Sequence, residues 1–417
     1  MENQGRSERS NAHLQKEPSP KVPLPKSFLD FLALNGLSPS VYDEIDNLPR
    51  YIRLKPGSET LLADVEAELG CKLENVNWLP GFFAIASQIQ IARSKVYCEG
   101  KIYGIDAASG AAVTTLNVLP GDHILDLCAA PGAKLCMLAE LLGSSGSLTG
   151  VDIAKSRLAA CRTMLQKYAL GGRCRLFVAD GTTFSLLPLG TCTENQPVME
   201  SENGDCRGKK DVYQEWSSRV PWSERRKSKD TNRIQLNVTS KANTCELIFY
   251  GKHSGVIGLR KEQLFQTGKE EANDGGYDKV LVDAECTHDG SVKHILKFED
   301  WGWDTLQRRL LNSERIGSVT QLQLQLLTNG FRLLKVGGSL VYSTCSCRLL
   351  PLNSLTVAQN EDVVEQFLSN NHSAELQDIR AAEGWPCRSG RIPRTIRFDT
   401  CTSRTSGLFI AKIVKLF

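Results

Sequence analysis

ILDLCAAPGAKL (124–135) decides how the chain is read. An apolar run, ILDL, ends in a turn of small residues, and an apolar helical pattern starts directly after it. A strand that breaks into such a turn and opens a helix lets a ligand approach the backbone and the helix N-terminus. A nucleotide-like ligand fits there. The nicotinamide-type GxGxxG is absent, which disfavours a dehydrogenase.

Outward from this segment, apolar strands alternate with helices. Strands are expected at HILDL (123–127), SLTGVD (147–152), RLFVAD (175–180), KVLVD (279–283) and SLVYST (339–344). Leu135, Leu138 and Leu142 step by three and four residues, as do Leu158, Cys161 and Leu165, so each stripe faces a sheet. Gly143 is expected to stop the first of these helices and Gly171-Gly172 the second. A later helix is expected around 318–334. The pattern predicts an α/β, Rossmann-like doubly wound domain over residues 105–417. Ahead of it, residues 1–26 read as a disordered tail, SFLDFLALNGL (27–37) as a short helix, and 27–104 as a small α+β unit. Between RLFVAD and KVLVD lie far more residues than a crossover needs. The polar, aperiodic stretch 192–244 is expected to be a disordered insertion.

Composition narrows the classes. With 41% hydrophobic and 23% charged residues the chain is ordinary globular protein. No stretch approaches the ~20 apolar residues of a membrane helix, and no signal-peptide core opens the chain, so a soluble intracellular protein is expected. The 14 cysteines form neither a dense disulfide pattern nor a C-x-x-C metal pair, so no metal is expected. Net charge is only +3, but the basic residues cluster: nine Lys or Arg against four acids in 207–233, and four Arg with no acid in RSGRIPRTIR (388–397). Both stretches are candidate nucleic-acid contacts.

Strand ends carry the chemistry. Asp126, Asp152 and Asp180 close successive strands and look like an adenosine site, with Asp152 placed for ribose hydroxyls and Asp180 near the base. Two more strand ends, VLVDAEC (280–286) and VYSTCSC (341–347), hold cysteines in polar turns.

Together these motifs resemble the Nop/Sun (Fmu-type) family of RNA cytosine-carbon-5 methyltransferases. The family pattern is CAAPGGK, DAPCS, STCS, NE and a closing GFFIAK. Here these read Cys128–Lys134, Asp283–Thr287, Ser343–Ser346, Asn360-Glu361 and Gly407–Lys412, and IDAASG (105–110) resembles the family's lead-in. The likeness covers roughly 100–417. It implies Cys345 as nucleophile, Cys286 as the second cysteine assisting product release, Asp283 as the contact to the cytosine ring, and Lys134 beside them. It implies S-adenosylmethionine as cofactor, held by Cys128, Ala129, Ala130, Pro131, Gly132, Ala133, Lys134, Asp152, Arg157, Asp180 and Asp283.

Those residue types suit the chemistry. Carbon 5 of cytosine is too electron-poor to attack a sulfonium methyl until a thiolate has added to carbon 6 and a proton has reached ring nitrogen 3. Asp283 would have to be neutral to deliver that proton, and Lys134 would oppose this. Three positions depart from the pattern. Ala133 replaces a glycine, which is free of strain only at negative φ. Glu285 replaces a proline, adding charge beside Cys286 and loosening its turn. Leu135 replaces a hydroxyl residue. The expected partner is RNA, with transfer RNA favoured over ribosomal RNA, and the chain is expected to act as a monomer in nucleus or cytoplasm, an organelle remaining open. The alternatives are a non-catalytic RNA-binding factor on the same fold, and a methyltransferase acting on protein or a small molecule.

Overall fold

The computed structural model describes residues 48–189, 245–259, 261–265, 275–286, 313–345 and 359–417, with Thr305 and a few single positions between 25 and 33. The expected tail, most of the 27–37 helix and the 192–244 insertion lie outside the described residues.

A four-stranded antiparallel sheet opens the described chain: β1 (Arg50–Leu54), β2 (Glu74–Asn75), β3 (Phe82–Ile85) and β4 (Ile102–Gly104), in the order β2-β3-β1-β4. Helix α1 (Leu62–Leu69) and the short α2 (Lys95–Cys98) cover it, closing a small core around Ile52, Val65, Val96 and Ile102. Helix α3 (Ala107–Thr115) leads into the large sheet.

That sheet contains β5 (His123–Asp126), β6 (Ser147–Asp152), β7 (Cys174–Val178), β8 (Glu246–Tyr250), β9 (Tyr277–Asp283), β10 (Leu334–Thr344), β11 (Ala374–Leu376), β12 (Arg388–Ser389), β13 (Thr395–Phe398) and β14 (Leu408–Lys415). Its order is β12-β13-β14-β10-β9-β5-β6-β7-β8, with β11 on β14. The five central strands, β10, β9, β5, β6 and β7, are parallel. All five expected strands are present. The chain winds outward from β5 through β6 and β7, then returns to the other side of β5 with β9. The carboxyl ends of β5 and β9 therefore flank the switch point where such sheets bind ligands.

Alternation along each strand feeds two cores. Ile124 and Val341 face one layer with α3, α4 (Ala133–Leu142) and α5 (Lys155–Lys167). Leu125, Leu340 and Tyr342 face the other, with α6 (Lys261–Leu264), α7 (Ser313–Leu333) and α8 (Glu361–Asn370). The expected stripes are buried: Leu135, Leu138 and Leu142 on α4, and Leu158, Cys161 and Leu165 on α5. Gly143 caps α4 at φ 66° as expected.

Two expectations change. Helix α5 ends at Lys167, before the glycine pair, because Ala169 takes the left-handed conformation at φ 53° and Gly171–Arg173 forms a 3-10 turn. Strand β8 was not expected at all. It pairs antiparallel with β7 at the sheet edge, directly after the polar stretch.

The four arginines of 388–397 are each answered by an acid. Arg388 meets Asp399 at 3.3 Å, Arg391 meets Asp362 and Glu365 at 2.6 and 2.8 Å, and Arg394 meets Glu375 at 3.1 Å. Arg397 donates from Nε to Glu361 at 2.9 Å, and both side chains are buried. The sequence run is basic only because its acids lie elsewhere in the chain.

Burial works against the Glu361 charge, but the Arg397 hydrogen bonds and charge more than offset it and hold its pKa below the ordinary 4.5. A depressed folded pKa stabilises the native state above the ordinary glutamate range, and that contribution fades as pH falls through the folded value. Glu361→Gln should therefore cost about 3–5 kcal/mol at neutral pH by leaving Arg397 buried and unpaired. Urea unfolding at pH 7 and at pH 4 checks this: the penalty should shrink on acidification, and an equal penalty at both values would contradict it.

Candidate active site

The turn after β5 is strapped to the end of β6. Ala129 N–H donates to the Val151 carbonyl at 2.9 Å and Ala130 N–H to Asp152 Oδ2 at 3.2 Å. Asp152 Oδ1 accepts from Ala154 N–H at 2.8 Å, and Arg157 donates to the Ala130 carbonyl at 2.9 Å. Arg157 thus clamps the turn. Asp152 is 5% exposed, and each of its oxygens has used one acceptor site on the backbone, leaving capacity for a ligand hydroxyl.

Gly132 stands at the N-cap of α4 with φ 113°, where a side chain would be strained, and its added Cβ would lie 3.0 Å from Cys161 Cα. No side chain caps this helix, so its first amides are open to an acceptor. Ala133 is the first residue of the helix and carries helical backbone, so its departure from glycine costs nothing. Leu135 is fully buried in the core. Asp180 lies exposed beyond β7, where Oδ1 accepts from Thr182 N–H and Oγ1 at 2.9 and 2.7 Å.

Ile153, next to Asp152, is 70% exposed. An apolar side chain in water beside a carboxylate and an open helix end suits a ligand that carries both a flat apolar ring and hydroxyls. The donor set of this cleft therefore fits a nucleoside. Pattern reading passed over Ile153 because a single exposed isoleucine has no periodic signature.

The second half of the cleft lies at the ends of β9 and β10. Lys134 Nζ donates to Asp283 Oδ2 at 2.7 Å, and Ser343 Oγ donates to Asp283 Oδ1 at 2.7 Å. Lys134 is 13% exposed and Asp283 22%. Burial works against the lysine charge, yet Asp283, Cys345 and Asp126 outweigh it and hold its pKa above the ordinary value. Lys134 therefore keeps its charge in this setting.

Three cysteines approach the cleft in different states. Burial and Asp126 raise the Cys128 thiol well above its usual pKa, so it stays protonated. Cys286 is buried, and its thiol donates to the Cys345 carbonyl at 3.2 Å. Cys345 is half-buried at the end of β10 and lies within electrostatic reach of Lys134. The structure brings together Cys345, Cys286, Asp283 and Lys134. Thr287 and Ser346 lie outside the described residues.

The turn that carries Glu285 instead of proline is held from α7. Buried Gln323 donates to the Glu285 carbonyl at 2.8 Å, while the exposed Glu285 carboxylate lies 3.9 Å from Arg315. On the other side Thr344 hydrogen-bonds Asn360, and Tyr342 donates to the Gln359 carbonyl at 2.7 Å. Gln323 and the Asn360 contact were not foreseen, because their partners are far apart in sequence.

Asp126, foreseen only as one of three strand-end acids, is buried where the two halves meet. Burial and the neighbouring Asp283 charge raise its pKa to about 7. An acid with a raised folded pKa binds more protons when native, so ionising it lowers stability as pH rises from the ordinary value of 3.8 towards 7. Asp126→Asn keeps the acceptor for Cys128 N–H, which lies at 3.2 Å. Its stability should vary less between pH 5 and 8 than that of wild type, read by thermal unfolding across that range; parallel curves would refute the assignment.

A model of the family described as 16S rRNA methyltransferase RsmB/F matches residues 113–194 and 257–414, more than half of the chain. Among curated relatives, ribosomal RNA small subunit methyltransferase B of Pseudomonas syringae pv. tomato is 23% identical over 320 residues, covering 77% of this chain and 48% of its own length. The 5-cytosine rRNA methyltransferase NSUN4 of Bos taurus is 28% identical over 278 residues, covering 66% and 47%. The chain thus spans about half the length of these relatives. Among solved structures, a methyltransferase homolog protein from Pyrococcus horikoshii superposes with a TM-score of 0.56 at 23% identity, covering 94% of this chain and 100% of that one; it supports the fold.

Proposed function

The chain belongs to the 16S rRNA methyltransferase RsmB/F family, and from that membership and the cleft geometry we propose that it methylates carbon 5 of cytosine in RNA, with S-adenosylmethionine as donor and Cys345 as covalent nucleophile. The observation that carries this reading is the meeting of Cys345, Cys286, Asp283 and Lys134 at adjoining strand ends, next to a cleft that fits a nucleoside. Ribosomal RNA is the favoured substrate class, since both relatives named above act on it, and this displaces the earlier preference for transfer RNA. By the same proposal the small N-terminal unit, residues 27–104 and described from 48, helps to hold the RNA.

S-adenosylmethionine supplies an electrophilic methyl group on a sulfonium. The α4 amides behind Gly132, Asp152, Ile153 and Asp180 would hold it, with Arg157 keeping the turn in place. Lys134 supplies the positive charge that favours a thiolate at Cys345. As the Cys345 sulfur adds to carbon 6, ring nitrogen 3 gains basicity and takes a proton through Asp283. Lys134, 2.7 Å away, is the source of that proton. On this scheme Asp283 need be neutral only in passing. Carbon 5, now enamine-like, accepts the methyl group; ring nitrogen 3 then returns its proton through Asp283 to Lys134, and loss of the carbon 5 proton to a base expels the Cys345 thiolate. Cys286, bonded to the Cys345 carbonyl, serves this elimination half by holding the turn from which the sulfur must withdraw. The exposed Glu285 carboxylate lies 3.9 Å from Arg315 and stands as the alternative base for this step. A fold kept only for binding RNA would not need a lysine held charged between an aspartate and a cysteine, so the non-catalytic alternative is not favoured.

Asp152→Ala should weaken S-adenosylmethionine binding about 10- to 100-fold through loss of charge-assisted ribose hydrogen bonds. Isothermal titration measures this, and unchanged affinity would remove Asp152 from the cofactor site.

The cysteines should separate by stage. Cys345→Ala should abolish methylation and leave no covalent RNA complex, whereas Cys286→Ala should slow elimination so that an adduct survives denaturing electrophoresis. An adduct in the double variant, or with Cys345→Ala alone, would overturn the assignment of roles.

A further inference from the structure

Lys412 closes the GFFIAK-like motif, and the chemistry above leaves it unused. It lies on β14 opposite Val341, and paired residues of an antiparallel ladder share a face. Val341 and Ile410 place that face on the α3 side of the sheet, the layer against which Cys345 also rests. From Val341 to Cys345 is about 13 Å along the strand.

Lys412 lines a cleft of about 730 Å³ between β14, the C-terminal turn of α3 and the segment after β11. Arg380, Arg394, Glu375 and Asp378 also line it. Its two acids are both engaged by Arg394, at 3.1 and 3.8 Å. Arg380 and Lys412 have no acidic partner among the described residues, and Lys279 stands near Lys412 as a further cation. Lys412 is half-buried, and burial, Lys279 and Arg380 together lower its pKa. The lining thus holds three cations, Lys412, Arg380 and Arg394, against two carboxylates, and with Lys279 beside it the balance is positive and favours a bound anion. The carbonyl end of α3 opposes an anion, but its partial charge is smaller than the whole charges of Lys412 and Arg380.

We propose that this cleft is a phosphate-binding site formed by Lys412 and Arg380, and that its ligand is a backbone phosphate of RNA lying a few nucleotides from the cytosine at Cys345. The RNA half of this statement rests on the function proposed above; the phosphate half does not.

The test uses the full chain and its Lys412→Gln and Arg380→Gln variants. Arg380 is exposed, so its replacement leaves the fold intact even if replacement of half-buried Lys412 does not. Binding of inorganic phosphate is followed by phosphorus NMR line broadening, and binding of a single-stranded RNA oligomer by fluorescence anisotropy across a salt series. Each variant should weaken RNA binding roughly three- to tenfold and reduce the salt slope by about 0.7, as loss of one phosphate contact on a single strand requires. Lys252→Gln, an exposed lysine beyond the opposite sheet edge, should change neither. Loss of inorganic phosphate binding with RNA binding unaltered would keep the phosphate site and reassign it to a small phosphorylated ligand. Equal phosphate and RNA binding in wild type and both variants, or an equal loss with Lys252→Gln, would overturn the proposal. S-adenosylmethionine titration on the same proteins reports separately on the methyltransferase reading, because neither side chain belongs to that cleft.

Discussion

Asp283 is the point on which the cleft depends. Its carboxylate, at the end of β9, accepts from Lys134 on α4 and from Ser343 on β10, so one side chain joins three chain segments. A lysine charge this far from water needs a partner. Meeting that need fixes where α4 begins relative to β10, and therefore where Cys345 stands relative to the turn after β5. The backbone joins in: Ala284 N–H donates to the Ser343 carbonyl and Cys286 to that of Cys345. The two cysteine turns are thereby held as one object, the preorganisation that the proposed covalent step would need.

The same reasoning explains why charge read along a sequence misleads. The arginines of 388–397 recur every third residue and look like a surface for polyanions, yet each is paired within the fold. Lys412, noticed in the sequence only as the end of the GFFIAK-like motif, lies in a cleft where cations outnumber acids. Whether a cation can serve an external anion is decided by its neighbours in space.

Much of the architecture was legible. The central strands are apolar runs ending in acids or small polar residues, and the helical stripes Leu135/Leu138/Leu142 and Leu158/Cys161/Leu165 carry their period openly. The candidate positions 128–134, 152, 283, 286 and 345 could be picked out because they fall at or just after strand ends. What escaped depends on contacts between distant segments. Strand β8 is a short edge strand beside polar sequence and is defined by its pairing with β7. The end of α5 is set by an alanine in a conformation usually left to glycine, which no local rule favours. Gln323 on the Glu285 carbonyl and Asn360 on Thr344 replace, from far along the chain, the rigidity that local sequence does not supply.

Helix α4 carries Lys134 at one end and, two turns on, Glu140. Arg53 of β1 donates to Glu140 at 2.8 Å and Tyr103 of β4 at 3.1 Å, with both charged side chains 6% exposed. Close by, a side chain at Gly110 of α3 would run into the Phe82 ring at 2.2 Å, so the small sheet presses directly on the helical layer. Swinging this sheet away would expose an ion pair made out of water and open a packed seam, a cost that ordinary interdomain hinges do not carry. The first sheet and α4 are therefore fastened to each other by this ion pair and this seam. Lys134 thus stands on a helix anchored at Glu140 to the first sheet and at its other end to Asp283, so its position is set by both layers at once.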